Sequence, residues 1–206
     1  EFRRVLFRST VFAHTAIRPD GSVEEQTVPR KFYPNLYDEY AAYDIWGTAC
    51  TRLDWQTGEL TTASLPFVQL DSVLGAVGSR VLLTRIVSDT PLPQGEGNEE
   101  MRDAVLQNSL REYDFYDPAT NTIEKVFDEP YYPEERNERK GYLGYCGDKL
   151  YFGVTYTDSA AAFSTRNTLV SYDRTAGTWQ EECSADSKGG EYSNFWPLLQ
   201  DGQLRL

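Results

Sequence analysis

Histidine and methionine each occur once, as His14 and Met101, and the three cysteines, Cys50, Cys146 and Cys183, are far apart. That scarcity excludes a zinc site of ordinary Cys/His spacing and a dense disulfide scaffold. It also excludes any Ser–His–Asp arrangement within the chain that does not use His14, and on its strand His14 is expected to be structural or exposed. Basic residues are outnumbered, 20 Lys plus Arg against 32 Asp plus Glu, for a formal charge of −12. A surface of that sign repels a phosphate backbone, so no nucleic acid is expected as a partner. No apolar run approaches the roughly 18 residues of a membrane helix, so no membrane segment is expected within the chain. Gly95-Glu96-Gly97 lacks the strand–loop–helix context of a phosphate cradle, and no acidic run has the alternate Asp spacing of a dedicated calcium loop. No cofactor and no metal are expected.

What is present is enough to bury a core. Apolar residues make up 40% of the 206, and aromatics 14%, led by 14 Tyr, a composition that leans toward strands. The opening Glu1-Phe2-Arg3-Arg4-Val5-Leu6-Phe7-Arg8-Ser9 resembles a translated sequencing adapter, since CTC-TTC-CGA-TCT reads Leu-Phe-Arg-Ser. Residues 1–9 are therefore expected to lie outside the fold and residues 10–206 to form it.

Two hairpin units alternate along the chain. The first is strand, tight turn, strand: Tyr113-Asp-Phe-Tyr-Asp-Pro-Ala-Thr-Asn-Thr-Ile-Glu-Lys-Val-Phe127. It recurs at Leu169–Trp179, at Thr51–Leu60 and, more loosely, at Ala16–Val23. Each copy puts an Asp (Asp20, Asp54, Asp117, Asp173) at the end of one strand and a Gly or Asn shortly after it. An Asp carboxylate accepts bonds from following backbone N–H groups, and Gly or Asn takes the positive φ that closes the turn. The second unit pairs Leu74–Ile86 with Leu143–Thr155, and Trp196–Leu206 begins a third copy. Leu150, Phe152 and Val154 alternate with Tyr151, Gly153 and Thr155, the period of a half-buried strand.

Hairpins alternating in this way resemble the blades of β-propellers. Tyr116-Asp-Pro-Ala-Thr-Asn-Thr-Ile-Glu-Lys125 and Tyr172-Asp-Arg-Thr-Ala-Gly-Thr-Trp179 are similar to kelch-type repeats and to generic bacterial propellers with a Tyr-Asp-x-x-Thr-Gly turn. Of the paired glycines of a kelch blade, only Gly153 is present. The resemblance implies an all-β fold, a partial propeller of about four antiparallel four-stranded blades, incomplete at both ends. It also implies a bacterial, extracytoplasmic protein.

With strands lettered a to d outward from the axis, the turns at Gly78-Ser79 and Gly147-Asp148 are expected to join d to the next a. The Asp turns then join b to c, and both kinds fall on one face. The a–b and c–d connections fall on the other, where residues 88–109, 128–141, 157–165 and 184–191 make long loops. Loops on a rigid scaffold are where binding residues gather. In the longest, Asn98 is expected to cap a short helix with Glu99 and Glu100 in its first turn and Met101, Val105 and Leu106 on one face. The 128–141 loop sets Asp128, Glu129, Glu134, Glu135, Arg136, Glu138, Arg139 and Lys140 around Tyr131 and Tyr132. The expected ligand site is Tyr131, Tyr132, Glu134, Arg136, Arg139 and Arg102, with tyrosines stacking on the ligand and charges orienting it.

No catalytic residue is assigned. Trp46, Trp55, Trp179 and Trp196, with Tyr33, Tyr37, Tyr40 and Tyr43, are expected to fill layers between blades, and the cysteines to act as small buried hydrophobes. A carbohydrate platform and a Cys146–Cys183 bridge are the respective alternatives. Residues Phe32 to Trp46 are expected to form strands. The function expected is non-enzymatic: a scaffold recognising a protein, peptide or glycan through the long loops. The alternative is a carbohydrate-active propeller enzyme, hydrolase or lyase, whose acids, such as Glu134 and Glu135, flank the scissile bond.

Overall fold

Alternation of apolar and polar residues governs the architecture. In a computed structural model, residues 6–8, 11–17, 22–29, 32–37, 40–95, 97–132, 138–158, 164–187, 198–200 and 203–205 are described. Their regular structure is strand apart from one short helix. The chain divides into two compact units, residues 1–68 with 118–121 and residues 69–117 with 122–206.

The first unit opens with β1 (Leu6–Arg8), β2 (Val11–Ile17) and β3 (Val23–Pro29), an antiparallel three-stranded sheet in that order. Leu6–Arg8, within the adapter-like opening, thus pairs with Val11–Ala13. A four-stranded antiparallel sheet follows: β4 (Leu36–Tyr37), β5 (Ala41–Trp46), β6 (Ala49–Asp54) and β7 (Leu60–Ser64). Within the stretch from Phe32 to Trp46, Leu36–Tyr37 and Ala41–Trp46 are strands as expected, 32–35 and 40 are not, and 38–39 lie outside the described residues. Phe32 packs with Ala42, Leu53 and the half-buried Trp55.

The second unit holds two further four-stranded sheets built to one plan. One is β8 (Leu70–Val77), β9 (Arg80–Val87), β10 (Leu110–Asp117) and β11 (Thr122–Pro130), with α1 (Glu99–Leu106) between β9 and β10. The other is β12 (Glu138–Cys146), β13 (Lys149–Asp158), β14 (Ser164–Asp173) and β15 (Thr178–Ser187). The hairpin β16 (Leu198–Gln200) and β17 (Gln203–Arg205) follows.

The strand lettering expected from sequence needs correction. The Gly78-Ser79 and Gly147-Asp148 turns join the first and second strands of one sheet, not the last strand of one sheet to the first of the next. The Asp117 and Asp173 turns join the third and fourth strands. The reason is parity: a local hairpin looks the same in sequence wherever the sheet begins. Because both short turns are displaced together, they still share one end of each sheet. The longer β9–β10, β11–β12 and β13–β14 connections share the other end, as second-to-third and sheet-to-sheet links. The β9–β10 connection keeps residues 88–109, but the loops expected at 128–141, 157–165 and 184–191 are shorter, since residues 128–130 belong to β11, 138–141 to β12, 157–158 to β13, 164–165 to β14 and 184–187 to β15.

The two sheets of this unit pack face to face. Leu150, Phe152 and Val154 are buried, while Tyr151, Gly153 and Thr155 are only partly covered. Phe152 meets Tyr113 and Phe127 edge-on, at 5.8 and 6.0 Å between ring centroids. Phe127 also stacks on Tyr113 at 4.2 Å and touches Trp179 at 5.1 Å. Each such side chain taken from water contributes about 1.5–3 kcal/mol. Close approach also needs a gap, and Gly75 provides it. A Cβ at Gly75 would stand 2.7 Å from Cε1 of Tyr142.

Several aromatic expectations fail. Trp46 is 82% exposed and Tyr33 62%, and Tyr37 and Tyr40 are also exposed, so these rings fill no layer. Trp46 ends β5 on the opposite face from Tyr43 and Ile45, which are buried. Trp196 and the side chain of His14 lie outside the described residues. No disulfide joins the cysteines, and only Cys50 is fully buried. Cys146 and Cys183 sit on the two edge strands of one sheet. Three inter-strand steps, roughly 14 Å, separate those edges, about twice the reach of a disulfide.

Candidate binding site

The end of the β8–β11 sheet that carries the long connections is also where its charged side chains converge. β8, β10 and β12 begin there and β9 and β11 finish there, so residues distant in sequence meet. Asp71, near the start of β8, accepts bonds from the Thr84 hydroxyl at 3.2 Å, Arg111 Nε at 3.1 Å and the Tyr131 hydroxyl at 3.3 Å. The Arg111 guanidinium lies over the Tyr131 ring, 4.6 Å from its centroid. Burial works against the Arg111 charge, but Asp71, with Tyr113 and Tyr131, outweighs it and holds the group above its usual range.

Beside this cluster the Tyr113 hydroxyl donates to Glu129 Oε1 at 2.8 Å, and Lys140 pairs with the other oxygen of Glu129. Burial, reinforced by the Glu129 charge, drives the Tyr113 hydroxyl far above its ordinary pKa and keeps it a donor. The opposite face of β10 carries a second pairing. Arg85 bridges Glu112 and Asp114, and Lys125 reaches Glu112 and Asp128. Asp114 is 1% exposed at its side chain, and its Oδ1 has no partner among the described residues. Desolvation, partly offset by Arg85 and reinforced by Glu112, pushes its carboxyl up to about 6.

α1 frames the site. Leu106 is buried with Ile86 and Leu92, and Val105 and Tyr131 pack on them. Met101 is 56% exposed, one turn short of that cluster. Asn98 stands at the N-cap as expected, but its side chain makes no cap bond. Its amide donates to the Gln94 carbonyl, and only its backbone oxygen meets the helix, accepting from Arg102 N–H at 2.8 Å.

Of the residues expected to bind, Tyr131 and Tyr132 come together, ring centroids 5.2 Å apart and planes at 76°. Tyr131 is tied by its N–H to the Ser109 carbonyl and half-buried. Tyr132 is 39% exposed, and its hydroxyl donates to Asp103 of α1 at 3.1 Å. Arg102 is exposed on α1, and Arg139 is exposed near the start of β12. Glu134, Arg136 and also Glu135 lie outside the described residues. Asp71, Arg111, Tyr113 and Asp103 were not singled out from sequence. The only local hint is Arg111-Glu-Tyr-Asp114, four polar-capable residues opening a strand that is otherwise core. No protein-family model matches the chain, and a search of curated proteins finds no match.

Proposed function

We propose that the chain is a stretch of an extracytoplasmic β-propeller acting as a non-enzymatic binding module at its long-connection end, with a protein, peptide or glycan as ligand. The two face-packed, identically connected sheets of the second unit support successive blades. The observation that carries the binding reading is Tyr132. Its ring is exposed yet held from two sides, by Tyr131 and by the Asp103 carboxylate. A pre-positioned aromatic face loses little freedom when a sugar ring or peptide group stacks on it. Arg102, next to Asp103 on α1, and Arg139, near the start of β12, are exposed and would supply the orienting charges.

The rival reading, a carbohydrate-active propeller enzyme, has one observation in its favour, a carboxyl held toward protonation at Asp114. That group is buried and committed to Arg85, out of reach of a polysaccharide, so binding is preferred. A glycan and peptide array probed with the chain and with Tyr132→Ala and Tyr132→Phe tests the proposal. Tyr132→Ala is expected to lose about tenfold or more in affinity while Tyr132→Phe keeps most of it. Undiminished binding by Tyr132→Ala removes this site from the function.

A further inference from the structure

The outermost strand of the first four-stranded sheet differs from its counterparts. β11 carries Glu124, Lys125, Asp128, Glu129 and Pro130 along its length, and β15 carries Glu181, Glu182 and Asp186. Charges and proline on an edge strand are what keep other chains from adding to it. β7 reads Leu60-Thr61-Thr62-Ala63-Ser64, with no charge and no proline, and four of its five residues are exposed.

Two backbone bonds fix which way its polar groups point. Asp54 N–H donates to the Glu59 carbonyl at 3.0 Å and Leu65 N–H to the Thr48 carbonyl at 2.8 Å. Antiparallel ladders alternate bonded and non-bonded pairs. With Ala49 opposite Ser64 and Leu53 opposite Leu60, residues 59, 61, 63 and 65 therefore turn their N–H and C=O toward β6. Leu60, Thr62 and Ser64 turn theirs outward. Among the described residues β7 pairs with β6 alone. On its outer side the Asn121 side-chain amide reaches the Ser64 carbonyl at 3.1 Å. Among the described residues nothing takes the backbone groups of Leu60 and Thr62, which remain for another strand.

We infer that β7 is a docking edge for an extended basic peptide of a partner protein, which adds as a further strand. Main-chain bonds would supply the affinity and alternate side chains the selectivity. A second copy of the chain fits less well. Five paired residues bury far less than the roughly 1,200 Å² of a stable interface, and each copy carries −12. The same charge, with Glu59 exposed at the entrance to β7, favours a cationic strand.

The test uses the whole chain and two short synthetic peptides, one alternating valine with lysine, the other valine with glutamate. Amide exchange on the unmodified chain gives the first readout. With the lysine peptide, exchange at the Leu60 and Thr62 N–H groups slows about tenfold or more, and it slows far less with the glutamate peptide. Thr62→Pro gives the second. Its lost N–H points away from β6, so the sheet keeps its ladder, while affinity for the lysine peptide falls about tenfold or more. Thr62→Val, which loses only the hydroxyl bond to Thr51, stays within about twofold of the unmodified chain. Equal binding by Thr62→Pro, protection outside residues 60–64, or self-association through β7 in place of peptide binding would overturn the inference.

Discussion

The two ends of the β8–β11 and β12–β15 sheets are held by different physics. At the short-turn end each Asp turn closes on itself, although Gly78 N–H also reaches the Tyr145 hydroxyl and Arg174 the Gly147 carbonyl. Asp173 Oδ1 accepts from the N–H groups of Thr175 and Ala176, both at 2.9 Å, and Gly177 closes the turn at φ +66°. In the first unit Asp54 repeats this with Gln56, Thr57 and Gly58. At the long-connection end the contacts are remote. Asp71 meets Arg111 across 40 residues and Tyr131 across 60. A turn of five residues orders itself. A cluster of ionised groups drawn from four strands exists only when the whole sheet is in place, so that end is the one that mutation and pH should disturb most.

Arg85→Ala is the strongest way to break this contrast. It leaves Glu112, 9% exposed at its side chain, and Asp114, 1% exposed, without their shared guanidinium. Stranding buried charge in this way costs about 3–5 kcal/mol. Urea unfolding near neutral pH checks it, with a loss under about 1 kcal/mol showing that the cluster is dispensable.

A pH series sharpens the contrast. The Asp114 pKa, about 6, lies above its value in an unfolded chain. The stability linked to it is therefore fully present below the unfolded pKa, about 3.9, and is lost as pH rises through about 6. Asp114→Asn does not titrate. Its stability relative to the unmodified chain should rise between about pH 4 and 6.5 and level off above. Subtracting one curve from the other cancels the remaining carboxylates. A difference that stays flat across that window would show Asp114 ionised throughout.

The same contrast explains what could be read in advance. The turns at Asp54, Asp117 and Asp173, the hairpins closed at Gly78 and Gly147, α1 and the alternation along β13 are each written in a few neighbouring residues and each is found, while Asp20 and Gly202 lie outside the described residues. The starting strand of each sheet is not written locally, so the hairpin pattern alone leaves the lettering one strand out. Tyr131 and Tyr132 stand out by composition alone. Asp71 does not, because nothing around it in sequence indicates that Arg111 and Tyr131 will arrive beside it. Trp46 misleads for a related reason: an aromatic residue in a strand suggests burial, and only the strand's end and facing decide.

The smallest effect belongs to the short-turn end, and it separates geometry from charge. Asp173→Ala removes the acceptor for two exposed N–H groups, a loss of about 1 kcal/mol. Asp173→Asn keeps a carbonyl oxygen in the same place, so it should recover most of that loss. Thermal unfolding of the three proteins decides the matter. If Asn rescues nothing, charge and not turn geometry holds this end, and the two ends of the sheet would no longer differ in kind.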